Sequence, residues 1–169
     1  MSLPASILVG VLGQTVHVRV HGKGSFQNSP ALKEFARQML DRGYRSFVVD
    51  LAACAVMDST FMGTLAGLAL RLRETEVGIL RVRNANERNY ELLRNLGLDN
   101  LFQIERTGGR EALPEAAMLP NQPSLSKTEH AKCMIEAHEA LVDADSGNLA
   151  RFKDVLEYLR QDLHAGVTK

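Results

Sequence analysis

The chain has 169 residues, 45% of them hydrophobic, and its twenty Lys and Arg are balanced by twenty Asp and Glu. That content suits one globular domain plus a further segment, and the zero net charge excludes the overall basic field that drives non-specific nucleic-acid binding. Two distant cysteines with no CxxC spacing, no apolar run near the roughly 20 residues of a membrane span and a strand-like start point to a soluble cytoplasmic protein without cofactor, whose partners include neither nucleic acid nor membrane.

Ile7 to Leu12 and Val16 to Val20 alternate around Gly13-Gln14, which predicts an antiparallel hairpin. Val16, Val18 and Val20 share its buried face, leaving His17, Arg19 and His21 as solvent-facing polar positions on the other. Gly22-Lys23-Gly24-Ser25 has some letters of a phosphate loop without its spacing. A mobile strand-to-helix loop is the reading there, with nucleotide binding the lesser alternative. Ser29 as N-cap and Pro30 at the first position then open an amphipathic helix that Gly43 closes.

Tyr44 to Leu51 reads as a central strand, because Phe47-Val48-Val49 is apolar on successive residues. Asp50 at its end either caps a turn or lines a crevice at the strand's C-terminal edge, and the two roles are compatible. Asp58 to about Arg73 is the next helix, rich in small residues. Gly63 and Gly67 inside it imply close approach to another backbone, since each costs about 1 kcal/mol relative to Ala; a sheet is the expected neighbour. Asp58 ends an apolar run and precedes Ser59 in the first turn, where free N–H groups and the macrodipole favour an anion. Val77 to Val82 gives a further strand, Asn84-Ala85-Asn86-Glu87 starts a helix that Gly97 ends, and Leu101 to Ile104 is a last short strand.

The order is ββαβαβαβ, an α/β fold with a mixed sheet and helices mostly on one face, occupying residues 1–106. Residues 107–125, with Gly108, Gly109, Pro114, Pro120 and Pro123, read as a linker. Residues 126–165 read as an α-helical hairpin, opened by the capping box Ser126-Lys127-Thr128-Glu129. Two such helices cannot bury their apolar stripes alone, so the hairpin must dock on the first domain, on a second copy as a homodimer, or on a partner. His130 and His138 lie roughly 12 Å apart along the first of them, too far to chelate jointly, and are expected at the surface or an interface.

Catalysis by Ser59 would need a histidine base and an orienting acid. The first domain offers only His17 and His21 on an early strand, and no G-x-S-x-G elbow surrounds the serine. The chain is therefore expected not to be an enzyme, and Ser59 to be a residue acted upon.

Val48-Val49-Asp50-Leu51 followed by Met57-Asp58-Ser59-Thr60 and a small-residue helix resembles the STAS domain of bacterial anti-sigma-factor antagonists, over about residues 5–106. The resemblance implies that Ser59 is phosphorylated by an anti-sigma factor that is a serine kinase or related kinase-like ATPase. It also implies that the unphosphorylated form sequesters that kinase and frees a sigma factor for transcription, and that a phosphatase resets the switch. Asp50, Asp58, Ser59, Thr60, Phe61, Met62, Gly24 and Ser25 would form the partner-binding surface. Phe61 and Met62 stand where the family continues toward Gly-Leu-Gly, so Phe61 either fills a core gap or presents a different contact surface. The alternative is a STAS module that senses a nucleotide or anion, or a scaffold, without phospho-switching.

Overall fold

Alternation in the N-terminal hairpin decides which side of the sheet is buried. In the computed structural model, which describes residues 5–109, 112–113, 115–120 and 125–167, β1 (Ser6–Leu12) and β2 (Thr15–Gly24) pair antiparallel across Gly13-Gln14. Val16, Val18 and Val20 enter the main core with Ile7 and Val9. α1 (Ser29–Asp41) follows, then β3 (Ser46–Asp50), β4 (Cys54–Met57), α2 (Ser59–Glu74), β5 (Ile79–Arg83), α3 (Glu87–Asn95) and β6 (Gln103–Glu105). β7 (Ala117–Met118), α4 (Lys127–Ala144) and α5 (Asn148–Val167) complete the chain.

The sheet runs β6-β5-β3-β2-β1-β7, with β2, β3, β5 and β6 parallel and the β1 pairings antiparallel. This is the mixed α/β sheet expected. One face supplies Phe47, Val49, Leu80 and Val82 to the same core as Leu32 and Met39 of α1, Phe61 and Leu65 of α2, and Leu93 of α3. The helices therefore share that face. The opposite face carries a register row of Leu8, Arg19, Asp50, Arg83 and Glu105, and His17 on that face is buried, not solvent-facing, because β2 lies between β1 and β3.

β4 is a strand that the sequence pattern hides. β2 is ten residues long and β3 only five, so β2 runs on beyond its partner. After a turn at residues 51–53 the chain returns, and Cys54 to Met57 pairs parallel with Gly22 to Gly24 past an irregularity between Gly22 and Lys23. Asn89, fully buried, donates from Nδ2 to the Cys54 carbonyl at 2.9 Å and ties this strand to α3. Four residues are too few to show a period of two within a continuous apolar run, hence the element order ββαββαβαβ in place of ββαβαβαβ.

The β2–α1 connection is also tighter than a mobile loop. Asn28 occupies the N-cap position, with Ser29 first in the helix and Pro30 second. The Ser25 N–H donates to Asn28 Oδ1 at 2.8 Å, Asn28 Nδ2 donates to the Lys23 carbonyl at 2.9 Å, and Ser29 Oγ donates to the Ser25 carbonyl at 2.7 Å. Short polar side chains have satisfied the backbone groups locally. Within residues 107–125, Ala117 and Met118 add a short strand to the β1 edge, and Leu113 lies over Gly10.

α2 is packed from two sides. Its inner side turns Phe61, Leu65 and Leu72 into the core. Ser59, Gly63 and Gly67, four residues apart, form one stripe of the helix, and α4 lies along it. A Cβ at Gly63 would strike the Ala137 carbonyl, and one at Gly67 would sit 3.7 Å from Ala140 Cβ. The close backbone approach that the glycines imply is thus to a helix, not to the sheet. Lys33 of α1 pairs with Glu136 of α4. Buried Asn148 donates to the Leu96 and Leu141 carbonyls at 2.9 and 2.8 Å, fastening the hairpin's turn to the end of α3. Ser126 Oγ accepts from the Glu129 N–H, as a cap should.

Phe61 is 0% exposed, and its ring lies where a Cβ on Gly24 would come within 2.7 Å. Removing that ring leaves a cavity that β2 and α2 cannot close, so Phe61→Ala should lower unfolding free energy by about 3–5 kcal/mol. Equilibrium urea unfolding followed by far-UV circular dichroism measures it.

Candidate functional site

The end of β4 delivers the chain to α2 through Asp58, and both carboxylate oxygens are engaged there. Oδ1 accepts from the Phe61 N–H at 2.9 Å, which makes Asp58 the N-cap of α2. Oδ2 accepts from the Phe26 N–H at 2.9 Å, and the Asp58 N–H donates to the Gly24 carbonyl at 2.9 Å. One aspartate therefore holds the helix start against the β2–α1 connection.

Ser59 is the first residue of α2 and is half-buried. Its Oγ lies 2.9 Å from Nε2 of His138 on α4. His138 Nδ1 is 2.6 Å from the Met134 carbonyl oxygen, which can only accept. The ring proton therefore sits on Nδ1, Nε2 is the acceptor in the neutral ring, and the Ser59 hydroxyl donates to it. His138 is 2% exposed, with the Phe152 ring of α5 edge-on at 5.1 Å. Of the surface and the interface expected for it, it takes the interface, between α2, α4 and α5, as the partner of Ser59. Nothing in the sequence could have signalled this, because the two residues are 79 apart and meet only through the docking of α4.

The other expected contact residues separate into two groups. Gly24 and Ser25 border Asp58, and Ser25 is buried with its Oγ accepting from the Gln27 N–H at 3.2 Å. Phe61, Met62 and Thr60 are buried at 0%, 3% and 3% exposure. Of the two roles open to Phe61, the structure shows the core filler. The departure from Gly-Leu-Gly is absorbed inside, where the Phe61 ring lies against Gly24 and so requires glycine there.

Asp50 belongs to a different cluster. It is buried at the end of β3, its Oδ1 accepting from the Ala52 N–H at 2.8 Å and from Asn84 Nδ2 at 3.2 Å. Asn84, with a φ of 61°, in turn accepts from the Gly108 N–H. This is the turn-capping role, on the sheet face that carries Arg19 and Arg83 as its register neighbours.

A Ser–His pair at hydrogen-bond distance is the starting geometry of a nucleophile and base. Here the imidazole is oriented by a main-chain carbonyl, and the hydroxyl points between two helices. A cavity of about 320 Å³ between α1, α2 and α4, lined by residues such as Leu32, Arg37, Gly67, Arg71 and Ala140, does not include Ser59 or His138. Cys54 and Cys133 are free and buried, and burial pushes both thiols above their usual range, away from the reactive thiolate. No helix among the described residues is long and apolar enough to cross a membrane.

A family model described as Mlab, STAS domain, matches residues 7–104. Among solved structures, the chain is similar to a candidate anti-sigma factor antagonist from Thermotoga maritima, with 18% identity over 59% of this chain and 85% of that one, at a TM-score of 0.55. It is likewise similar to an anti-sigma factor antagonist from Mycobacterium paratuberculosis, with 24% identity over 63% of this chain and 92% of that one, also at 0.55. At such identities the likeness is one of fold. None of the curated proteins matches the chain.

Because the Asp58 carboxylate serves two backbone donors, Asp58→Ala should destabilise the chain by about 1–2 kcal/mol, the range of a lost N-cap. Asp58→Asn, which keeps an acceptor oxygen, should recover part of that loss. Thermal and urea denaturation of the three proteins provide the comparison.

Proposed function

We propose, since the chain belongs to the Mlab-type STAS domain family, that it is a regulatory protein-binding module of the anti-sigma-factor-antagonist type, switched by a phosphate on Ser59. Its partner in this reading is a serine-kinase anti-sigma factor, or a related kinase-like ATPase, bound when Ser59 is unmodified; a phosphatase reverses the modification. The place of action is the cytoplasm, and the output is transcription. The observation that carries the reading is the placement of Ser59 as the first residue of α2, directly after the Asp58 cap and beside the Gly24-Ser25 turn.

Physical chemistry supports a switch at this position. A phosphate there adds about −1.5 to −2 charge and three acceptor oxygens, and a helix N-terminus can receive an anion without unfolding. Placed next to the Asp58 carboxylate, the added charge repels any partner bound snugly through the same helix end. The sensor of a nucleotide or anion has less support, because the Ser25 N–H and the Ser29 hydroxyl already donate to Asn28 Oδ1 and the Ser25 carbonyl. The expected homodimer has its support in α5, which exposes Leu149, Val155 and Tyr158.

Affinity capture from native lysate, followed by incubation with ATP, tests the reading. The wild type should retain a kinase-like ATPase and gain one phosphate on Ser59. Ser59→Ala should bind without gaining it, and Ser59→Asp should bind about tenfold or more weakly, about 1.4 kcal/mol. Equal binding by all three proteins would refute the switch. The regulatory reading also expects no covalent labelling of Ser59 by a fluorophosphonate; stoichiometric labelling would reveal an active Ser–His dyad.

A further inference from the structure

The hydroxyl proposed to receive the phosphate is already occupied, and its occupant belongs to the C-terminal hairpin. Ser59 Oγ and His138 Nε2 are one hydrogen bond apart at 2.9 Å, so a phosphate replaces the very proton that His138 accepts and sets an acceptor-only group against the Nε2 lone pair. The imidazole cannot turn aside within the docked hairpin. Its other nitrogen is held by the Met134 carbonyl at 2.6 Å, its edge faces the Phe152 ring, and only 2% of the residue is exposed. Rotating it away would break three contacts on α2, α4 and α5 together.

The rest of α4 borders the same surface. His130 stands edge-on to Phe26, the residue whose N–H binds Asp58, with ring centroids 6.4 Å apart. Ala137 presses on Gly63, Ala140 lies over Gly67, and Glu136 pairs with Lys33.

We propose that the α4–α5 hairpin is a cis-acting cover over Ser59, and that hairpin docking and a phosphate on Ser59 exclude one another. Modification then frees two surfaces at once: the Ser59, Gly63 and Gly67 stripe of α2, and the small-residue side of α4 that was pressed upon it. By linkage, the factor by which the phosphate weakens docking is the factor by which docking disfavours the phosphorylated form. The inference rests on Ser59 as the modified residue, but its test needs no kinase.

The full chain with phosphoserine placed at position 59 by codon suppression is compared with the unmodified chain by hydrogen–deuterium exchange. Amides of α4 should exchange about tenfold or more faster, the size of an ordinary coupling between sites, while β2, β3 and β5 keep their protection. Ala137→Glu, which wedges α4 off Gly63 without touching Ser59, should reproduce that pattern. Unchanged α4 exchange in the phosphorylated chain overturns the proposal. So does loss of protection in the sheet along with α4, because the phosphate would then be unfolding the domain instead of releasing a cover. Release here, with no Ser59 phosphate appearing in the lysate experiment, would discard the kinase and keep the cover.

Discussion

The close approach of α2 and α4 at Gly63 is the constraint on which the arrangement of this protein turns. With hydrogen in place of a side chain, the α2 backbone comes against the Ala137 carbonyl. Any larger residue would hold the helices apart and move His138 away from Ser59. The same helix is locked on its other side, where the Phe61 ring fills the space that Gly24 leaves open. α2 is thus fixed between a sheet and a helix, and neither contact can shift without disturbing the serine at its start.

Electrostatics and packing divide the work at that start. Asp58 joins α2 to the β2–α1 connection through two backbone donors, which sets where Ser59 stands and how its helix is aimed. His138 then decides what the hydroxyl can do, since in the neutral ring it accepts the only proton that Ser59 has to offer. Asp50, which resembles a second site carboxylate in the linear order, spends its oxygen on Ala52 and Asn84 at the end of β3. Proximity in sequence placed the two aspartates in one motif; the fold gives them separate tasks.

Much of the fold is legible in the chain. Period-two alternation gives the first hairpin, the unbroken Phe47-Val48-Val49 gives the central strand, and Ser126 and the Asn84 to Glu87 stretch give helix starts, capped by Ser126 and Asn86. β4 was not legible, because four residues inside an apolar run carry no periodicity and the strand exists only to pair the overhang of β2. Nor was the stiffness of the Gly22 to Ser29 stretch. Its polar residues signal a turn, but which of them bond one another depends on backbone angles that composition does not contain.

By itself the sequence determined the α/β class, the helical hairpin, the start of α2 at Asp58 and the anion-friendly position of Ser59. These follow from local chemistry: side-chain volume, alternation, and donors and acceptors within four residues of one another. Only the tertiary structure decided that Phe61 lies inside, that the two glycines face a helix, and that His138 reaches Ser59. Those outcomes depend on how separate elements dock, and docking is settled by the fit of whole surfaces that are remote in the chain. The serine was legible as a position, but its covering was not, because it comes from a helix 79 residues away whose apolar face could have been buried in other ways.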